Sequence, residues 1–442
     1  MSHNQLLKKF HSPAIRNTLW LTSEKLFSMA LVLLVNIFVA RHLGPELFGT
    51  LSFFLASVAL MVPLTSLGMN AIITREVVNT PERQSLIVST ALAFRLIGGG
   101  LAFVLLVAIV SLEVLTIKVE LESLFFILAF ANLFVAFHVV DFWFQAKVLS
   151  RYIVKVRFIV LLFISLTKLV AVYFNADIAS FVWLAAIESL LISLGFLFIY
   201  LYKSKARLFS GVDFSYGSNV LKQSKWLILS SVASIIYLKI DQLMLAEMVS
   251  TREVGVYAVA SRISEVWYFF PVAIVASFFP SLLKLKQSSE ASYKKKLQQL
   301  CDALFAFALI IAVVIYFTSD WLILLLFGEE FQASGVILAI HIWAGLFVFM
   351  RALLSKWILA ENLVKFSLIT HGVGAVVNVA LNYYLIPQYQ GIGAAISTVI
   401  AYAFASYVVL LFHPATWPMA KIMTKSMFFP SRLFARKVNS PA

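Results

Sequence analysis

Apolar residues arrive in long runs separated by short polar breaks, and the spacing of those breaks sets the expected architecture. A helix rising about 1.5 Å per residue needs roughly 20 apolar residues to cross a hydrocarbon core of about 30 Å. Runs of that length centre on residues 17–40, 47–72, 86–111, 122–146, 153–174, 178–201, 225–247, 253–283, 298–317, 331–359, 364–386 and 391–412, so twelve spans are expected. The 253–283 run is long enough to be tilted, or kinked at Pro271 or Pro280. Trp321 to Phe327 is too short to span and reads as an interfacial turn before Gly328-Glu329-Glu330. The opening pair of runs also recurs, because Trp20, Ala40 and Gly49 share their spacing with Trp226, Ala246 and Gly255.

The basic loop from Lys203 to Lys225, which holds Gly211, Gly217 and several serines, divides the runs six and six. It predicts an N-terminal lobe over 1–202, an inter-lobe loop over 203–224, a C-terminal lobe over 225–412 and a basic tail over 413–442 that rests on anionic headgroups. An even number of spans per half gives both halves one orientation, the parallel repeat whose axis lies along the membrane normal. Substrate would then bind between lobes near the midplane.

Composition narrows the class. With 442 residues, 62% of them hydrophobic and 13% charged, and a mean hydropathy of +0.94, the chain lacks the polar surface of a soluble protein and reads as an all-α integral membrane protein. Its 40 Phe and 9 Trp suit lipid-facing surfaces and interfacial belts. The single cysteine, Cys301, excludes an intramolecular disulfide and a cysteine-clustered metal site. A net charge of +14 could suit nucleic acid, but the position of the charges points to a membrane instead.

Lysine and arginine concentrate on one side, at Lys8, Lys9, Arg16, Arg75 and Arg83, from Lys147 to Arg157, from Lys203 to Lys225, from Lys284 to Lys296, at Lys356 and Lys365, and from Lys421 to Lys437. The other side holds Arg41, Lys118 and Arg252, with Glu113, Glu120, Glu122, Asp177, Asp320, Glu329 and Glu330. Cytoplasmic loops carry the basic excess, so both termini are expected in the cytoplasm. The first run is full length and has no small-residue cleavage site after it, so it is expected to remain as the first helix.

No phosphate loop and no metal-spaced histidine or cysteine cluster occurs, so neither an enzyme nor a cofactor is expected, and energy would come from an ion gradient or the substrate's own. The chemistry sits inside the spans. Arg95, Lys168, Glu188, Lys239, Asp241, Arg262 and Glu265 lie too deep for easy snorkelling, whereas Lys25 and Arg351 lie nearer the cytoplasmic side. Two readings stay open: mutual neutralisation, as for the i,i+3 neighbours Arg262 and Glu265, or the lining of a water-filled cavity. Counting Glu24 and Asp141 with the acids, the signs nearly balance. Ser367, His371, Asn378 and Asn382 share one helical face, either as hydrogen-bonding glue or as cavity lining. His138 and His341 stand alone in their runs as packed or pore-facing residues.

The stretch from Ala40 to Phe53, Ala-Arg-His-Leu-Gly-Pro-Glu-Leu-Phe-Gly-Thr-Leu-Ser-Phe, resembles the first-loop signature of the Wzx-type polysaccharide and O-antigen flippases. Phe327-Gly328-Glu329-Glu330-Phe331, Asn378-Val379-Ala380-Leu381-Asn382 with Leu385-Ile386-Pro387, and Gly391-Ile392-Gly393-Ala394-Ala395-Ile396-Ser397-Thr398 agree, in order along nearly the whole chain. The resemblance implies the multidrug, oligosaccharidyl-lipid and polysaccharide exporter superfamily, with two six-helix lobes around a V-shaped cavity that works by alternating access. It implies an undecaprenyl-diphosphate-linked oligosaccharide moved to the periplasmic leaflet of a bacterial inner membrane, with membrane lipid, a glycan polymerase and a chain-length regulator as candidate partners. Arg262, Lys239, Arg95, Lys168, Lys25 and Arg351 are the candidates to hold the diphosphate, and Asp241, Glu265, Glu24 and Glu188 to take up coupling protons or sodium. Lys239 and Arg262 reach similar depth, about 12 to 14 Å from the outer surface. A multidrug cation antiporter of the same superfamily would favour an acidic, aromatic cavity, which the deep arginines and lysines oppose. A scaffold for glycan assembly gives no reason to keep ion pairs at the midplane.

This topology predicts that a reporter active only in the periplasm is bright when fused in the Glu113–Glu122 loop or near Asp320, and dark after Lys205 or Lys295. A bright fusion at Lys295 would remove the twelve-span count.

Overall fold

The computed structural model describes the backbone of residues 13–204 and 211–428 and the side chains from residue 20 onward. The basic positions Lys8, Lys9, Lys205, Arg207, Arg432, Arg436 and Lys437, and the side chain of Arg16, lie outside the described residues. Among the described residues the secondary structure is wholly helical. The α-helices are α1 (Pro13–Ser66), α2 (Asn70–Asn79), α3 (Gln84–Ser111), α4 (Val119–Ala131), α5 (Val139–Ala146), α6 (Arg151–Tyr173), α7 (Ile178–Ser204), α8 (Phe214–Met248), α9 (Thr251–Val266), α10 (Phe269–Ser288), α11 (Glu290–Phe327), α12 (Ser334–His341), α13 (Ala344–Ala360), α14 (Val364–Ser406) and α15 (Trp417–Met427). Nine segments among the described residues are long and apolar enough to cross a membrane.

Several of these segments are interrupted. Helix α1 breaks at Gly44, whose φ of 68° lies in the left-handed region. The break follows from the next residue: Pro45 disfavours helical geometry at the position before it and starts the next arm without an amide proton to satisfy. Helix α14 breaks at Gln390, with φ 51° and ψ −129°. A 3₁₀ stretch, Asn132–His138, separates α4 from α5. The 253–283 run divides after Val266, and α10 opens two residues before Pro271, which therefore lies in a first turn where its missing amide is harmless.

Trp321 to Phe327 is a correction. It forms the last two turns of the continuous helix α11, which ends at Gly328 with φ 86°. Asp320 accordingly sits inside α11, and the break in the chain comes after it, at Glu329–Phe331. The basic loops also shrink, because α7 runs through Lys203, α8 begins before Lys222 and α6 contains Lys155 and Arg157. Proximal to residue 429 the tail is ordered as α15, whose Met419, Ala420 and Met423 are buried. Gln298 on α11 donates to the Ile422 carbonyl at 3.1 Å, and Ser426 donates to Asp302 at 2.8 Å, which fixes α15 to α11.

The chain forms two compact units, Met1–Ile235 and Ile236–Ala442, with the division inside α8. The first unit is centred on Met69, Ile73, Val88, Leu92, Val139 and Phe144, each close to fully buried. Gly68 sits at its edge with φ +58°, and a Cβ there would lie 2.9 Å from the Ile228 amide nitrogen. Both the backbone conformation and the close approach require glycine.

Gly68→Ala should therefore lower the stability of the detergent-solubilised protein by about 1 to 3 kcal/mol, seen as a drop in thermal midpoint. Gly100→Ala, where an added Cβ meets nothing within 4 Å, should hold or raise the midpoint, since alanine in a helix is favoured over glycine by up to about 1 kcal/mol. Equal midpoints for the two variants would refute this account of Gly68.

Candidate functional site

Deep charges in the first unit are paired or enclosed. Arg157, two turns into α6, lies 3.8 Å from Glu24 on α1 and 3.2 Å from Asp141 on α5, so one guanidinium ties three helices. Ser28 adds a hydrogen bond to Glu24 at 2.9 Å. Lys168 on α6 and Glu188 on α7 form a 2.9 Å ion pair. Arg95 is only 3% exposed; its Nε donates to the Thr65 carbonyl at 3.4 Å, and the guanidinium lies over the Phe142 ring. Lys25, on α1, is exposed.

The second unit also holds a partly exposed ion pair, comparable to Lys168 and Glu188, whose side chains are 24% and 25% exposed. Lys239 on α8 bridges to Glu265 on α9 at 3.4 Å, and the two side chains keep 26% and 31% of their surface exposed. Glu265, the sequence neighbour of Arg262, thus joins adjacent helices through a lysine. Arg262 is half-buried on α9. Asp241, two residues beyond Lys239 and one face removed, is 2% exposed. Neutral groups surround it. Tyr257 on α9 donates to Oδ2 at 2.7 Å, Thr398 Oγ1 on α14 lies 2.7 Å from the same oxygen, and Asn382 on α14 donates to Oδ1.

Asn378, one turn earlier, accepts from Asn382 at 3.3 Å. The Asn382 Oδ1 atom is buried with no hydrogen-bond partner. The cluster therefore offers one carboxylate and several neutral oxygens, a donor set suited to a singly charged hard cation or a proton. The polar stripe on α14 divides: Asn378 and Asn382 join Asp241, whereas His371 meets the Tyr237 hydroxyl at 3.0 Å and stacks on that ring. Arg351 does not snorkel. It is 8% exposed, and its Nη1 donates at 2.6 Å to the Ala405 carbonyl in the last turn of α14. The guanidinium thereby caps a helix C-terminus, where cations are favoured.

Sequence reading missed Arg157, Tyr257 and Thr398 as partners. A usable signal existed for Arg157, since Glu24 and Asp141 were deep acids that needed a cation. Thr398 closes the quoted Gly391–Thr398 motif. Tyr257 carries no signal beyond being a hydroxyl in an apolar helix. His341 packs edge-on against Tyr257 with ring centroids 5.8 Å apart.

Because Arg157 is the counter-charge to two buried carboxylates, Arg157→Met should destabilise the protein by about 3 kcal/mol, and adding Glu24→Gln with Asp141→Asn should recover most of that loss. Thermal midpoints of the purified variants check it. No recovery in the triple variant would mean that the ion triad is not what Arg157 supports.

The sequence model of a family described as "Polysaccharide biosynthesis protein" matches residues 14–286. A Haloferax volcanii protein named "Probable low-salt glycan biosynthesis flippase Agl15" is 20% identical over 195 residues, 43% of this chain and 41% of that relative's length. A Shigella flexneri protein named for O-antigen transport is 23% identical over 414 residues, covering 87% of this chain and 93% of the relative. Among solved structures, the lipid II flippase MurJ in an inward closed conformation aligns over 96% of this chain and 93% of its own, with a TM-score of 0.70 and 16% identity, which shows a shared fold.

Proposed function

The chain belongs to the polysaccharide biosynthesis protein family, and from that premise we propose that it is a flippase moving an undecaprenyl-diphosphate-linked oligosaccharide from the cytoplasmic to the periplasmic leaflet. It does so by ion-coupled alternating access of two six-helix lobes, twelve spans in all, with both termini in the cytoplasm of a bacterium. The observation that carries this reading is the partly exposed cation pair, Lys239 and Arg262, on adjacent apolar helices. A diphosphate cannot cross hydrocarbon unpaired. A guanidinium can hold two phosphate oxygens at once, and a lysine supplies a mobile point charge beside it. The multidrug reading has less behind it, because a cationic drug gains nothing from Lys239 and Arg262.

Asp241 is the proposed coupling position. A proton or sodium ion would neutralise the carboxylate and give Asn382 Oδ1 the partner it lacks. Asp241 shares α8 with Lys239 and shares the contact to α9 through Tyr257. Loading the ion would therefore change packing on the two helices that carry the cargo-binding cations.

Export is measured as surface glycan at matched protein level. Arg262→Gln should lower it by at least about tenfold, Arg262→Lys should retain part, and Arg262→Gln with Glu265→Gln should stay inactive. Exchanging Lys239→Glu with Glu265→Lys preserves the ion bridge but moves the cation, and should also abolish export. Asp241→Asn should fold and fail to export. Recovery in the Arg262→Gln, Glu265→Gln variant, or full export by the charge exchange, would reduce these cations to neutralising partners.

A further inference from the structure

The first unit carries a cavity of about 530 Å³ between α3, α4, α7 and the 3₁₀ stretch. None of the charged residues discussed above lines it. Its walls are Phe103, Phe126, Phe130, Phe134, Trp183 and Ile187, and Ser123 is at one end. From Ser123 to Phe134 it follows the helix for about 16 Å, close to half the hydrocarbon thickness. Phe130 and Trp183 are about half exposed, so the groove opens sideways from helices that span the membrane.

The groove is built rather than incidental. Ser189 on α7 donates to the Ala131 carbonyl at 3.1 Å and Ser193 to the Phe134 carbonyl at 2.8 Å, pinning α7 to backbone at the start of and within the 3₁₀ stretch. Phe130 stands edge-to-face with Phe103 and with Phe134, at interplanar angles of 79° and 88°. Those crossed rings make a corrugated wall with recesses between the rings.

We infer that this groove seats part of the isoprenoid tail of the cargo, an inference that rests on the flippase reading. Two features separate an isoprenoid from a phospholipid acyl chain. Branch methyls fill the recesses between crossed rings, whereas a straight chain leaves them empty and forfeits those contacts. The second feature is charge. An acyl chain spanning one leaflet would place its phosphate at the Ser123 end, beside Glu120 and Glu122 in the first turn of α4. The lysine at that end, Lys118, is already 3.4 Å from Glu46. A long isoprenoid can enter the groove without placing its diphosphate at the Ser123 end. The groove would therefore anchor the tail while the headgroup crosses, and it selects for isoprenoid lipids independently of the sugar.

The test uses the full chain reconstituted in dibrominated phosphatidylcholine, whose bromines quench nearby tryptophan. Trp183 emission is read as the difference between the wild type and Trp183→Phe. Undecaprenyl phosphate, at a few mole per cent, should displace brominated chains and raise the Trp183 signal roughly twofold by mass action, while saturated phosphatidic acid at the same level should not. Ala186→Leu should remove the response by filling the groove; Ser123→Trp, at an exposed position, serves if that variant does not fold. No rise with undecaprenyl phosphate, or an equal rise with phosphatidic acid, would overturn the inference and assign the groove to ordinary lipid chains. A rise that is retained in Arg262→Gln supports the groove whatever the export result for that variant, and export that depends on Arg262 without any rise overturns the groove alone.

Discussion

Inside hydrocarbon every backbone amide and carbonyl needs a partner from the protein, and a helix break leaves some of those groups to be met by other means. Three of the breaks in this chain are tied by side chains. At Gly44 the anchor is His42, whose ring nitrogen lies 2.7 Å from the Ala176 carbonyl. At the 3₁₀ stretch, Ser189 and Ser193 take up the Ala131 and Phe134 carbonyls. At Gln390, strained at φ 51°, Glu253 accepts from the Gly391 amide at 3.3 Å. The interruptions are therefore fixed positions with defined geometry, and the polar residues near them have structural work that limits what else they can do.

The same demand sorts the buried charges. A charge at membrane depth persists only when paired, and removing one partner of a buried pair is costly. In the first unit Glu24 and Asp141 retain 6% and 11% of their side-chain surface, and Arg157 lies within ion-pair distance of both. Lys239 and Glu265 in the second unit retain 26% and 31%. Lys168 and Glu188 in the first unit, at 24% and 25%, keep nearly the same exposure, so two partly exposed pairs stand apart from the enclosed one. Asp241 belongs to neither class. It is enclosed, and hydroxyls and one amide hold it in place of a cation.

Helices were legible in the sequence because hydrophobic length is a strong signal, but their ends were not. Lysines read as loop residues, such as Lys203 and Lys222, lie inside helices that continue past the apolar run. Trp321 to Phe327 looked too short to span only because Thr318, Ser319 and Asp320 interrupt the apolar pattern without interrupting α11. A hydropathy break is a statement about side chains, whereas a helix break needs backbone chemistry such as Gly44-Pro45. Of the candidate site, the pairing of Asn378 with Asn382 was readable from their four-residue spacing. The hold of Asn382 on Asp241 was not, since it depends on α8 and α14 coming together from distant parts of the sequence. Arg351 was misread for the same reason, because nothing local announces that its guanidinium will meet the end of α14 at Ala405.

The stretches that carry the family resemblance can now be assigned physical jobs, and those jobs limit what the resemblance identifies. Gly44-Pro45 breaks α1, Gly328 ends α11 with Phe331 buried just beyond it, and Gly391 follows the strained Gln390 with its amide on Glu253. Asn378, Asn382 and Thr398 gather around Asp241. None of these quoted stretches contains Lys239, Arg262 or the aromatic groove beside Trp183. Residues that fix helix breaks and hold a buried polar cluster belong to the scaffold, so the motifs identify the scaffold. The partly exposed cations and the groove stand outside those motifs, where substitutions change contacts without disturbing the breaks that set the fold.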